Sequence, residues 1–296
     1  MEYDIIIIGA GPAGLTAAIY AARAGCSVMI LESSVPGGQI ISTDTIDNYP
    51  GIKGISGYDL VEKMLNHAKS YNVDIKNEPV TAINIGKEVI TSQTTYKAKT
   101  IIIAAGSVRR TLGIDDEGKF IGRGVSYCAV CDGNFYRKKD VAVVGGGYTA
   151  VEDAAYLARV CNKVYIIHRR DEFRASGVDV DHLKSLDNVE FVMNSTVTAI
   201  HGDKKVSSIT INNTKTIDIS GLFIAVGTIP ASDFIPNEIN RDSKNYIITD
   251  ENMMTNIDGI FAAGDIRRSP LKQIITAASD GAIAASKAIN YIEVNK

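Results

Sequence analysis

Two stretches of this chain repeat each other at an offset of 136 residues. Residues 5–32 read "IIIIGAGPAGLTAAIYAARAGCSVMILE", and residues 141–168 read "VAVVGGGYTAVEDAAYLARVCNKVYIIH". Gly9 matches Gly145, Gly11 matches Gly147, Ala18 matches Ala154 and Tyr20 matches Tyr156. Each copy predicts a strand, a glycine turn, a helix and a second strand. Unbroken four-residue apolar runs suit parallel strands buried on both faces. The Ala-rich stretch after each turn carries helix. A chain built on two such βαβ units is confined to the α/β class.

Each small residue in the unit has a mechanical task. The first glycine, Gly9 or Gly145, permits the tight turn. The second, Gly11 or Gly147, lets the backbone approach a pyrophosphate, and the third position, Gly14 or Ala150, lets the helix pack close to the strand. The free N–H groups at the helix start then face phosphate oxygens. One G-x-G-x-x-G alone is a weak signal. Here it follows an apolar run, opens a helix and ends in a second strand, in both copies. Two dinucleotide sites are expected; the bland alternative is two glycine-bearing turns that hold no nucleotide.

The downstream halves echo each other too. Residues 79–106 read as short alternating strands ending in "TIIIAAG", and residues 190–227 do the same, ending in "LFIAVG". Residues 259–292 form a strand, a Gly-Asp turn and a long Ala-rich helix without a βαβ of their own, so they complete another sheet, preferably the first. The expected architecture is α/β with two Rossmann-like, three-layer ββα domains. The first is discontinuous, 1–113 and 244–296, and the second, 114–243, is inserted into it. Both crossings are expected in polar, turn-rich stretches, "GIDDEG" (113–118) and "NRDSKN" (240–245).

The end of the second strand separates the two nucleotides. In the first copy it is Glu32, 23 residues after Gly9. A carboxylate there accepts hydrogen bonds from ribose hydroxyls, which implies an unphosphorylated adenosine ribose: FAD or NAD. In the second copy the equivalent residue is His168, followed by Arg169, Arg170 and Arg174 in "HRRDEFRA". Guanidinium groups bind a 2′-phosphate that a carboxylate would repel, so NADPH is favoured there. The competing reading is a solvated basic patch.

Between the repeats lies "GVSYCAVCDG" (124–133). Of the four cysteines, Cys26 and Cys161 sit in apolar surroundings and read as inert core thiols. Cys128 and Cys131 form a C-x-x-C. A structural zinc site needs four ligands, and the histidines show no matching spacing. Redox chemistry fits better, because such a pair closes a small disulfide and one thiol can be made acidic. Asp132 is placed to give or take the proton that accompanies dithiol exchange; as a turn cap it would serve structure as well. The pair precedes the second fingerprint, so the NADPH domain carries it towards a flavin bound by the other domain, and moving domains are expected.

Composition narrows the partners. The chain has 296 residues, 45% hydrophobic, with a formal charge of −3, which argues against nucleic acid and anionic membranes. The apolar N-terminal run is flanked by Glu2 and Asp4, where a signal peptide would be basic. No run of about 20 apolar residues predicts a membrane span. A cytoplasmic protein is expected.

These motifs together resemble the low-molecular-weight, bacterial-type thioredoxin reductases, a family of flavoprotein disulfide reductases. "GAGPAG", "GGQI" (37–40), "DNYPG" (47–51), "SYCAVCDG", "GGGYTAVEDA", "HRRDEFRA" and "AAGDI…KQI…AASDGAIAA" follow that family's order across essentially the whole chain. The resemblance implies that Gly9, Gly11, Pro12, Ala13, Gly14 and Glu32 hold the adenosine and pyrophosphate of FAD. Gly38, Gln39 and Asn48 would approach the flavin and its linker, with Val80, Ala105 and Gly106 in the same site. Gly264 and Asp265 would meet the ribityl or pyrophosphate part, and Lys272, Gln273 and Ile274 the isoalloxazine. NADPH would be held by Gly145, Gly147, Tyr148, Thr149, His168, Arg169, Arg170 and Arg174.

Further, Cys131 would face the flavin, Cys128 would attack the partner disulfide and Asp132 would donate the proton. The family is homodimeric and rotates its NADPH domain between two states. Three departures stand out: Tyr148 where a small polar residue is usual, Lys272 in place of Arg, and "AAGS" (104–107) in place of "ATGA". The implied activity passes electrons from NADPH to FAD, to the Cys128/Cys131 dithiol and to thioredoxin disulfide. Rival readings keep the fold but change the donor to ferredoxin, or the acceptor to a glutaredoxin-like protein or a peroxidase component. Others drop the thiols, as in a ferredoxin–NADP⁺ reductase-like flavoprotein, or drop catalysis for a plain FAD-binding module.

Overall fold

The computed structural model describes residues 2–43, 45–175 and 177–295. The chain folds into two compact units, one made of Met1–Val108 with Ile229–Lys296, the other of Arg109–Thr228. In chain order the first segment supplies β1 (Glu2–Ile8), α1 (Pro12–Arg23), β2 (Val28–Glu32), α2 (Gly57–Lys69), β3 (Asp74–Asn77), β4 (Val80–Ile83), β5 (Glu88–Thr91), β6 (Thr95–Ile103) and β7 (Ser107–Arg109). The second unit follows with β8 (Val125–Ser126), α3 (Ala129–Asp132), β9 (Asp140–Val144), α4 (Tyr148–Ala158), β10 (Lys163–Ile167), α5 (Gly177–Lys184) and β11 (Val189–Val192). It continues through β12 (Val197–Gly202), β13 (Val206–Ile211), β14 (Lys215–Asp218) and β15 (Gly221–Ile224). The return segment carries β16 (Thr228–Pro230), β17 (Ile260–Ala262) and α6 (Ile274–Val294).

In the first unit the sheet runs β3-β2-β1-β6-β5-β4, and β17 pairs with β6. The strands β3, β2, β1, β6 and β17 are mutually parallel, whereas β5 pairs antiparallel with β4 and with the start of β6. Side chains alternate across a strand. Ile5 and Ile7 therefore enter the core shared with α1 and α6, while Ile6 and Ile8 enter the opposite one with Met29, Leu31, Ile101 and Ile103. Both faces are covered, so four consecutive isoleucines are needed and an alternating pattern would fail. Removing the side chain of Ile7, fully buried, should cost about 2–5 kcal/mol. The alanines of α1 and α6 allow a close helix crossing: a Cβ on Gly281 would stand 2.1 Å from the Ala13 carbonyl oxygen.

The second unit repeats the plan with the parallel order β11-β10-β9-β15-β8. Val141 and Val143 face α4; Ala142 and Val144 face the antiparallel meander β12-β13-β14, which contributes Ile209 and Ile211. No helix like α6 closes over α4 in this unit among the described residues.

The division falls at 108/109 and 228/229, earlier on both sides than the 113/114 and 243/244 boundaries expected from the polar turns. Residues just before 113 already belong to the second unit, where the Glu117 carboxylate accepts the Leu112 and Gly113 N–H groups at 2.8 and 3.1 Å. Residues 230–243 belong to the first: the Phe234 carbonyl accepts the Ile83 N–H, and Ile235 and Ile239 are core residues there. Polar turns marked loops correctly, but each crossing lies inside a short strand, β7 or β16.

Candidate active site

In the first unit the β1–α1 turn admits only glycine at two places. Gly9 has φ +105°, and a Cβ there would lie 2.4 Å from the Ala104 carbonyl oxygen; on Gly14 it would lie 1.9 Å from the Gly9 carbonyl oxygen. Gly11, at the start of α1, faces open space instead, and Pro12 sets the first helical residue. Residues 37–38 fold over this turn, with the Gly37 N–H donating to the Ala10 carbonyl and Gly38 facing the Gly11 Cα. Glu32 braces it. One carboxylate oxygen accepts the Ala10 N–H at 2.7 Å, and the other accepts the Ser33 and Ser34 N–H groups at 2.8 and 3.0 Å.

Several predicted residues converge nearby. Gln39 donates to the Ser107 carbonyl at 2.6 Å, next to Ala105 and Gly106 after β6. Asn48 donates to the Gln273 side-chain oxygen at 3.0 Å, and Gln273 caps α6 just before Ile274. Lys272 donates to the Asp265 carbonyl at 2.5 Å and lies over the Tyr246 ring, 3.9 Å from its centroid. Burial pushes the Lys272 ammonium below the ordinary lysine value, partly offset by the Asp265 and Asp242 carboxylates. Val80 begins β4 and packs on the second core of the unit, away from the turn-forming residues in sequence.

In the second unit a Cβ on Gly145 would lie 2.4 Å from the Ala225 carbonyl oxygen, so the turn is again closed by the end of a neighbouring strand. Gly147 precedes α4, with the nearest atom to a Cβ being Arg174 Nη2 at 3.8 Å. Tyr148 and Thr149 start the helix with exposed side chains. His168 is buried, stacked on Phe173 with centroids 5.3 Å apart, and its ring occupies the space a Gly146 Cβ would need. Its Nε2 is the one buried side-chain polar atom without a hydrogen-bond partner among the described residues. Burial holds the imidazole pKa down, and the Arg170, Arg174 and Arg169 charges add to this. Those arginines are exposed, and the Arg174 N–H donates to the Gly146 carbonyl at 2.7 Å, which ties the "HRRDEFRA" loop to the turn.

Cys128 and Cys131 form a disulfide, with their Cα atoms 5.3 Å apart. Both are half-buried, so burial does not tell them apart. A hydrogen bond does: Cys128 caps α3, and its sulfur accepts the Cys131 N–H at 3.2 Å. The Asp132 carboxylate accepts the Ser126 hydroxyl at 2.6 Å. Burial, helped by that carboxylate, pushes the Tyr136 hydroxyl up to about 12. Cys161 is a buried core thiol pushed up to about 11, mainly by burial, and Cys26 packs half-buried on the first core.

Three supporting groups escaped the sequence reading. Ser126 stood in plain view two residues before Cys128, but a serine at a strand end carries no signal by itself. Glu117, 3% exposed, accepts the Tyr127 hydroxyl at 2.5 Å, and its carboxylate together with burial raises the Tyr127 pKa. Asp280 accepts the Gly264 N–H at 3.1 Å and Arg267 at 2.7 and 2.9 Å, bracing the turn that carries Asp265. A charged residue inside the Ala-rich α6 was the available clue.

Both sites fit their groups: open space stands where Cβ atoms of Gly11 and Gly106 would be, and at the second turn the Arg174 guanidinium lies beside Gly147 and the His168 ring, with its unpartnered nitrogen, beside Gly146, while Arg169 and Arg170 are exposed in the same loop. The family model described as pyridine nucleotide-disulphide oxidoreductase matches residues 3–281, and the chain belongs to that class. A thioredoxin reductase of Listeria innocua is 45% identical over 300 residues, covering 98% of this chain and 94% of the relative. The crystal structure of thioredoxin reductase from Streptococcus pyogenes superposes with a TM-score of 0.94 at 45% identity, covering 99% of each chain. Within its class, the chain belongs to the thioredoxin reductase family. It is an FAD- and NADPH-dependent oxidoreductase. A ferredoxin-flavin thioredoxin reductase from Clostridium acetobutylicum is also similar, at 34% identity and a TM-score of 0.56, covering 100% of this chain and 99% of that one. Among the described residues, no helix is long and apolar enough to cross a membrane.

Proposed function

We propose that the chain reduces the disulfide of thioredoxin through Cys128 and Cys131, with NADPH bound at the second glycine turn and FAD in the first unit. The observation that carries this reading is the Cys128–Cys131 disulfide with Asp132 directly after it, in the unit whose turn has the Arg174 guanidinium beside Gly147 and Arg169 and Arg170 exposed in the same loop. FAD would be held by Gly9, Gly11, Pro12, Ala13, Gly14, Glu32, Gly38, Gln39, Asn48, Val80, Ala105, Gly106, Gly264, Asp265, Lys272, Gln273 and Ile274. NADPH would be held by Gly145, Gly147, Tyr148, Thr149, His168 and the three arginines. Bound NADPH and FAD supply the two electrons that open the Cys128–Cys131 disulfide.

In the oxidative half, the Cys128 thiolate bonds to one sulfur of the acceptor and the acceptor S–S bond breaks. The electron pair leaves on the second acceptor sulfur, which takes the proton held by Asp132. Cys131 then attacks Cys128. The first acceptor sulfur departs with its electron pair and takes up the second proton, and the 128–131 disulfide is restored. The cysteine pair thus loses two electrons, Asp132 gives one proton and the Cys131 thiol the other, and the acceptor gains both electrons and both protons.

The resemblance supports a homodimer. Thiols kept as such in the fold, as at the buried Cys161, suit a reducing compartment such as the cytoplasm. The test is anaerobic mixing with NADPH. The flavin band should bleach, and Cys128→Ser should retain bleaching while losing thioredoxin reduction; full turnover by that variant overturns the role given to Cys128. The ferredoxin-linked relative motivates a second reading, with ferredoxin as donor. It stands if NADPH leaves the flavin oxidised and reduced ferredoxin bleaches it. Turnover of a glutaredoxin-like acceptor in preference to thioredoxin would keep the chemistry and change the partner.

A further inference from the structure

Ser126 ends β8, next to the dithiol, and is 4% exposed. Its Oγ lies 2.6 Å from Asp132 Oδ2 and 3.3 Å from the Cys128 carbonyl oxygen, and it accepts the Cys128 N–H at 3.1 Å. A serine hydroxyl has one proton to donate and two lone pairs to accept. We propose that Ser126 is the positioning residue for Asp132, a buried hydroxyl that turns between two acceptors as the carboxyl loses and regains its proton. The proposal rests on the reading of Asp132 as proton donor.

The two protonation states can be written out. When Asp132 is ionised, the Ser126 hydroxyl donates to Oδ2 while the Cys128 N–H donates to Oγ. When Asp132 is protonated, its O–H donates into the second lone pair of Oγ. The serine proton then turns to the Cys128 carbonyl, and the Cys128 N–H keeps its acceptor. Ser126 is fully satisfied in both states, so Asp132 can cycle without stranding a buried donor or acceptor beside it. An alanine at this position would remove the short charge-assisted bond to the carboxylate and leave the Cys128 N–H without that oxygen.

Other titratable groups stand on the elements packed around Asp132. They are Tyr136 in the following turn, and Tyr156 and Asp153 on α4; Cys128 and Cys131, held as a disulfide, do not titrate in this state. Tyr156 and Leu157 lie where a Cβ on Gly133 would stand, and Asp153 precedes them by three and four residues, on the same helix face. Burial, with the Glu152 charge, pushes the Asp153 carboxyl up to about 7, so it titrates in an accessible range and must be separated from Asp132.

The experiment follows carboxyl and carbonyl ¹³C shifts of the oxidised holoenzyme against pH, with Asp132→Asn used to assign the Asp132 signal. It needs no acceptor, so a failure to reduce thioredoxin would sink the functional reading without touching this one. Losing a donor to a carboxylate disfavours its ionised form, so Ser126→Ala should raise the Asp132 midpoint by about one pH unit. Ser126→Thr, which keeps the hydroxyl, should restore it, and Asp153→Asn should leave it in place. In the unmodified protein the Cys128 carbonyl shift should follow the Asp132 titration with the same midpoint. An unmoved Asp132 midpoint in Ser126→Ala overturns the proposal. So does a Cys128 carbonyl that stays flat through that titration, a result that depends on no variant folding.

Discussion

The two glycine turns share a backbone plan and differ in what surrounds it. Gly9 and Gly145 are each closed to a Cβ by a neighbouring strand's carbonyl, Ala104 or Ala225, at 2.4 Å. Beyond that point the copies part. The first turn is braced from within: Glu32 takes the Ala10 N–H, α6 crosses α1 at Gly281, and Asp280 pins the Gly264 turn. The second turn is braced by a buried imidazole stacked on Phe173, with guanidiniums left exposed around it. The two copies thus share the glycine scaffold, which a Cβ would break, and differ in the side chains at the end of the second strand, where the nucleotide is read. One copy spends its readout residue on the protein's own backbone N–H groups. The other keeps its charges outward for a ligand phosphate.

If that contrast is right, the third small residue is not interchangeable between copies. Gly14→Ala should destabilise the first unit by about 3 kcal/mol or more, because the new Cβ meets the Gly9 carbonyl with no side chain to move aside. The reverse change, Ala150→Gly, should cost only about 1 kcal/mol, the helix propensity difference. Thermal or urea unfolding of both variants checks this; equal losses would mean the two turns are packed alike. Next in size, Arg174→Ala should weaken NADPH about 10- to 100-fold while leaving NADH nearly unchanged, since only NADPH has the 2′-phosphate to lose a charge-assisted bond. Flavin bleaching against each nucleotide reads this directly.

The smallest effect is at His168. His168→Phe keeps the stack and removes an unpartnered nitrogen, so stability near pH 8 should change by less than about 1 kcal/mol. Its pH dependence should change more clearly. The folded imidazole has its pKa held down, so the unfolded chain binds the proton more readily. Stability is therefore complete above the ordinary histidine value of about 6.5, and it falls as the pH drops below that value towards the folded one. The phenylalanine variant should lose this part of the acid sensitivity; unfolding curves at pH 8 and pH 5 compare the two.

How much of this was legible in the sequence depends on whether a residue acts through a local pattern or a tertiary pair. The isoleucine run, the glycines of both turns and the cysteine pair each carry a local requirement, so order and spacing expose them. Glu32 was found by position, yet its bonds to Ala10, Ser33 and Ser34 were not, because they depend on how the loop returns. Ser126–Asp132 and Arg267–Asp280 join residues six and thirteen apart across changes of element, where no periodicity applies. The compact units divide away from the polar turns for a related reason. Polarity marks a turn, but whether Ile235 and Ile239 bury against one sheet or the other is decided by packing.

The central claim is that the nucleotide pair serves the Cys128–Cys131 disulfide. The most direct measurement is anaerobic addition of NADPH to the oxidised holoenzyme, followed by thiol labelling and mass analysis of the peptide spanning 124–137. The account predicts that both Cys128 and Cys131 are labelled after NADPH and neither before it, while the labelling of Cys26 and Cys161 is unchanged by NADPH. A flavin that bleaches while Cys128 and Cys131 stay locked as a disulfide would contradict it.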